Sequence, residues 1–138
     1  MPITSEEEIE LIESALTNQE IYSPVKTHLK AAVHHLSNFE NPDYRNSIKE
    51  SISAVESYCS IITGVKKSSL DTGLAYLEKN HNLSPSLKSA FLKLYGYASG
   101  NNGIRHALLE EPNINQEDAN YMLVICSAFI NYLTAKIN

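Results

Sequence analysis

The stretch "NPDYRNSIKESISAVESYCSIITG", residues 41–64, constrains the fold more than any other part of the chain. Ile48, Ile52, Val55, Cys59 and Ile62 recur at alternating steps of four and three. That spacing puts them on one stripe of an α-helix, because successive residues turn by about 100°. A helix with one apolar stripe must bury it against something else. Gly64 follows as a natural terminator, since glycine accepts the left-handed backbone that closes a helix.

The same pattern repeats along the chain. "TSEEEIELIESAL" opens with Ser5 and Glu8 at capping-box spacing, and Ile9, Ile12 and Leu16 follow in line. "SPVKTHLKAAVHHLSN" offers Ser23 as N-cap, Pro24 at the first helical position, and the stripe Val25, Leu29, Val33 and Leu36. Leu70, Leu74 and Leu77 mark a weaker helix, and Leu87, Phe91 and Leu94 mark another after a second Ser-Pro. In the last segment Asn115 is placed to cap, with Glu117 and Asp118 in the first turn and Met122, Cys126, Phe129 and Leu133 as a long buried face. No useful length alternates with a period of two. These features predict an all-α fold, a compact, mostly antiparallel bundle of five or six helices. A length of 138 residues suits a single domain over 1–138, with an N-terminal helical hairpin (1–40) on a helical core (41–138).

Composition sets outer limits on function. Hydrophobic residues make up 43% and charged residues 20%, which is a globular balance rather than a disordered one. No apolar run approaches the ~20 residues of a membrane span, and "MPITSEEEIE" lacks the pattern of a signal peptide. A cytoplasmic location and no membrane partner are expected. The formal charge of −5 argues against a broad basic footprint for nucleic acid, although a local basic site remains compatible with it. Cys59 and Cys126 fall inside apolar runs and read as buried free thiols. His28, His34 and His35 lack the converging spacing of metal ligands and read as a solvated helix face, so no metal or cofactor is expected.

One stretch does not look like scaffolding. In "GNNGIRHALLEEPN", residues 100–113, a Gly/Asn break precedes Arg105 and His106. Imidazole titrates near neutrality and suits proton transfer, while guanidinium grips phosphate with a planar fork. Adjacent helical residues diverge by about 100°, so both reach one phosphate only through irregular backbone or across a dimer. A structural reading stands beside the chemical one. Arg105 would pair with Glu110, Glu111 or Glu56 and tie the break to the core, with His106 half-buried. Lys66-Lys67, and Tyr95 and Tyr97 around Gly96, are weaker candidates for a phosphate rim and a stacking platform; their plainer readings are an exposed loop and boundary aromatics.

Three segments, "DYRNSIKESISAVESYCSIITG", "FLKLYGYASGNNGIRHALLEEPN" and "EDANYMLVICSAFINYLT", in that order resemble the C-terminal helical domains of bacterial abortive-infection proteins of the AbiJ type. Those domains look like members of the HEPN superfamily. The resemblance spans roughly residues 41–135, and "GIRHAL" is its most specific step. It implies a HEPN-like four-helix core, a homodimer, and a metal-independent RNase acting in phage defence, with RNA as substrate. The alternatives are a catalytically inactive helical module that docks on a partner domain or antitoxin, and, without any family premise, a small dimeric scaffold whose exposed apolar stripe is an interface. The family motif R-N-x-x-x-H places Asn102 on the motif Asn and His106 on the motif His. Asn101 stands where the motif Arg is expected, and Arg105 is the arginine nearest the His. The resemblance thus implies Arg105 and His106 as catalytic, with Asn101 and Asn102 beside them; Glu56 or Lys49, which lie with Arg45 off the apolar stripe of the third helix, would orient the pair.

Overall fold

The computed structural model describes residues 5–65, 70–99 and 114–138. These residues form six helices and no strand: α1 (Glu6–Thr17), α2 (Ser23–Ser37), α3 (Tyr44–Thr63), α4 (Leu70–His81), α5 (Pro85–Ser99) and α6 (Gln116–Ile137). The all-α bundle read from the periodicity is what the chain forms. Among the described residues no helix is long and apolar enough to cross a membrane.

Local signals set most of the helix ends. The Ser5 side chain accepts from the Glu8 amide while the Glu8 carboxylate accepts from the Ser5 amide, completing the capping box of α1. Asn115 and Asp118 form the same reciprocal pair at α6. Gly64 closes α3 in the left-handed region at φ 72°. The start of α2 differs by one residue from the sequence expectation. Ser23 is already helical and Tyr22 is the N-cap, with no side-chain cap bond. The Tyr22 carbonyl takes the amides of Val25 and Lys26 at 3.1 and 3.2 Å. Those are the amides that a Ser23 hydroxyl cap would have taken, so the backbone carbonyl of Tyr22 stands in for it.

Helices α2 and α3 form an antiparallel pair. The Ser47 hydroxyl donates to the Ala32 carbonyl at 2.8 Å, and His28 Nδ1 lies 2.8 Å from the Glu50 carboxylate. Buried Ser47 and Ser51 are small enough to let the two backbones approach, and Ser51 returns its hydroxyl to the Ser47 carbonyl at 3.0 Å. Helix α1 runs in the same direction as α6, tied by Asn131 Nδ2 to the Leu11 carbonyl at 3.0 Å and by Asn138 Nδ2 to Glu20 at 3.0 Å. The N-terminal helices therefore lean on different parts of the bundle, α2 on α3 and α1 on α6, more than on each other.

Helix α4 crosses α3 at Gly73. A Cβ there would fall on the Cβ and Sγ of Cys59, so glycine alone permits this approach. Helix α6 carries the expected face, Met122, Cys126, Phe129 and Leu133, and a second one, since Ala119, Leu123, Ile130 and Thr134 are buried too. It touches α1, α2 and α3 and acts as the central post of the bundle. The stripe expected on α5 is only partly covered: Phe91 is 5% exposed, whereas Leu87 is 37% exposed and Leu94 is half-buried.

Candidate functional site

Helix α3 carries three of the sequence-derived candidates on its polar side. Arg45 and Lys49 are one turn apart and exposed. Glu56 is half-buried two turns beyond Lys49, ~10 Å further along the axis. Near the start of the helix, Asp43 caps α3 by accepting from the Asn46 amide at 3.1 Å and from its side-chain amide at 2.7 Å. Burial by itself would raise the Asp43 pKa. The hydrogen bonds from Asn46 and the fields of His35 and Arg45 outweigh it and hold the carboxyl below its ordinary range.

Glu56 is tied across the bundle to another helix. The Tyr95 hydroxyl on α5 donates to its carboxylate at 2.9 Å. This bond joins the C-terminal half of α3 to the last turns of α5, the helix that leads in sequence to the Gly/Asn break. Arg45 and Lys49 are not brought to the same point. The remaining candidates, Asn101, Asn102, Arg105 and His106, lie outside the described residues, as do Lys66, Lys67, Glu110 and Glu111.

The two tyrosines flanking Gly96 separate in role. Tyr95 is held by Glu56, while Tyr97 is 46% exposed. The Tyr97 hydroxyl is pushed above its ordinary pKa, first by partial burial and then by the Asp118 carboxylate at the start of α6. Both thiols are free and buried, as expected. Burial raises Cys59 to about 12, helped by the charge of Glu56, and burial raises Cys126 further still. Neither is a nucleophile at neutral pH. Among the histidines, His34 is exposed and His35 half-buried, with ring centroids 6.1 Å apart. His28 departs from a solvated face through its contact with Glu50. No group of residues able to hold a metal ion occurs among the described residues.

A second feature was not legible in the sequence. Between α5 and α6 lies an open groove of about 620 Å³, walled by Leu87, Phe91 and Leu94 on one side and Tyr121, Ile125 and Tyr132 on the other. Phe91 and Phe129 stack at its floor with centroids 4.0 Å apart, and Tyr132 continues the stack at 6.3 Å from Phe129. Tyr121 and Tyr132 are 56% and 41% exposed, so the groove opens to water with aromatic walls.

The chain matches no protein-family model, and no curated protein or solved structure is similar to it at a significant level.

Proposed function

We propose that this chain is a HEPN-like helical domain of a bacterial phage-defence protein that acts on RNA as a dimer, with Arg105 and His106 as its catalytic pair. The observation that most supports this reading is the hydrogen bond from Tyr95 to Glu56. It anchors the helix preceding the Gly/Asn break to the polar side of α3 through Glu56, a carboxylate that on this reading orients the catalytic pair.

The chemistry asked of the pair is transesterification. His106, as base, takes the proton of an RNA 2′-hydroxyl, and that oxygen bonds to the adjacent phosphorus. The bond from phosphorus to the 5′-oxygen breaks, and the leaving oxygen takes up a proton from an acid. A 2′,3′-cyclic phosphate and a 5′-hydroxyl result. Arg105 supplies the cation that stabilises charge on the five-coordinate phosphorus. The nucleophile belongs to the substrate, so the step runs without a metal-activated water.

The open face between α5 and α6 favours a second reading, a helical interaction module that docks without cleaving. One experiment separates the two. Purified protein incubated with RNA in a chelator is expected to leave cyclic-phosphate ends, and His106→Ala is expected to abolish cleavage with an unchanged thermal melt. Intact RNA with the unmodified chain, or full cleavage by His106→Ala, overturns the nuclease reading.

A further inference from the structure

Helix α6 presents one stripe to the groove and its two ends: Glu117, Tyr121, Ile125, Ala128, Tyr132 and Lys136. Steps of four, four, three, four and four keep all six within about 100° of arc. Unlike the two buried faces of α6, none of these six is buried. The order is a palindrome about the point between residues 126 and 127. Ile125 mirrors Ala128, Tyr121 mirrors Tyr132, and Glu117 mirrors Lys136. Apolar positions mirror apolar ones, and the charged ends mirror each other with opposite sign.

A two-fold axis through that midpoint, perpendicular to the helix, places each position opposite its mirror on the other copy. Such an isologous contact is self-complementary only if mirrored residues suit one another. Here they do: tyrosine meets tyrosine, isoleucine meets alanine where the backbones come nearest, and carboxylate meets ammonium at both ends. The observed contacts extend this polarity to the groove itself. Lys136 Nζ sits 5.8 Å from the centroid of the Tyr132 ring, which makes that end cationic. At the other end the exposed Glu117 stands one turn before Tyr121, and Asp118 lies beside it, close enough to Tyr97 to act on its hydroxyl. Helices α5 and α6 are antiparallel, since Phe91 stacks on Phe129 while Tyr97, further along α5, feels the charge of Asp118 at the start of α6, so α5 flanks the stripe along its length. Lys93 edges the groove on α5, where its stem can line the apolar wall and its ammonium reach water. A second copy laid the other way, with helices parallel, would set Lys136 against Lys136 and Glu117 against Glu117, a repulsive register.

We propose that the α5–α6 groove is a homodimer interface, in which two α6 helices cross antiparallel and Lys136 of each copy meets Glu117 of the other. The interface draws nothing from the nuclease chemistry and gives the dimer of that reading a definite surface. It stands or falls by association, whereas that reading stands or falls by RNA ends.

The test is a charge swap read by light scattering and sedimentation equilibrium on the whole chain. The unmodified chain is expected to be a dimer. Lys136→Glu and Glu117→Lys are each expected to weaken it by about tenfold, because each places like charges together at both ends. The double variant Glu117→Lys/Lys136→Glu restores opposite charges and is expected to recover affinity to within a few-fold. Both positions are exposed, so folding is not at stake. Tyr121→Asp is expected to give a monomer with an unchanged far-ultraviolet helix signal. A monomeric unmodified chain, a dimer indifferent to Tyr121→Asp, or a double variant no better than the singles overturns the proposal, and a monomer would assign the groove to a different chain.

Discussion

The seam between α2 and α3 and the face between α5 and α6 are built from the same kind of helix but end differently. Along the seam, Val25, Leu29 and Ala32 of α2 meet Ile48, Ile52 and Val55 of α3, all buried. Serines at 47 and 51 let the backbones close up, and Ser47 stitches the helices through the Ala32 carbonyl. Across the other face the stripe Leu87, Phe91 and Leu94 also repeats at helical spacing, yet only Phe91 is buried. Aromatic bulk replaces small residues there, and an open groove remains. Periodicity says that a face wants cover, and it does not say whether the same chain supplies it.

The contrast can be broken most directly with matched leucines. Leu29→Ala in the closed seam is expected to cost about 3 kcal/mol, the usual penalty for a buried leucine that leaves a cavity. Leu87→Ala on the open face is expected to cost under ~1 kcal/mol, since a third of that side chain is already in water. Chemical denaturation at a concentration where the chain is monomeric measures both, and equal losses would mean that the groove is closed within one molecule. Gly73→Ala extends the test to the other tight crossing. The added methyl collides with Cys59, and about 2 kcal/mol should be lost unless α4 moves away from α3. Thermal unfolding read beside a Cys59→Gly/Gly73→Ala double variant, which removes both the Cβ and the Sγ that the methyl meets, shows whether that collision is the cause.

A further, modest effect concerns the polar lip of the seam. Asp43→Ala removes the cap of α3 and is expected to cost about 1 kcal/mol. The folded Asp43 carboxyl titrates below its unfolded value of about 3.9. Its stabilising contribution is therefore complete above that value and disappears as pH falls through the lower, folded one. Asp43→Asn should keep most of the cap at neutral pH and flatten the acid side of the stability curve. Urea midpoints between pH 2 and pH 6, about the range over which a carboxylate titrates, read the difference.

Much of the scaffold was legible in local residues. Ser5 with Glu8, Asn115 with Asp118, and Gly64 each act through groups within a turn of themselves, so their spacing announces their role. The one-residue shift at Ser23 arose because the Tyr22 carbonyl takes the Val25 and Lys26 amides that the Ser23 hydroxyl would otherwise cap. The candidate site was legible only in part. Glu56 stood out as polar on an amphipathic helix, but its partner Tyr95 is 39 residues away and carries no local mark of that contact. His28 with Glu50, 22 residues apart, was missed for the same reason. The second buried face of α6 was hidden because a helix enclosed on several sides loses the contrast on which periodicity depends.

By itself the sequence determined that this chain is helical, where most helices begin and end, that both thiols are buried, and which stripes seek an apolar partner. Those properties follow from backbone geometry and from neighbours within four residues. Only the tertiary structure decided which stripes are covered, that Gly73 admits α4 against Cys59, that Tyr95 holds Glu56, and that the palindromic stripe of α6 stays open to water. Each of these depends on how distant helices share a limited volume, and no single stretch of the chain encodes that division.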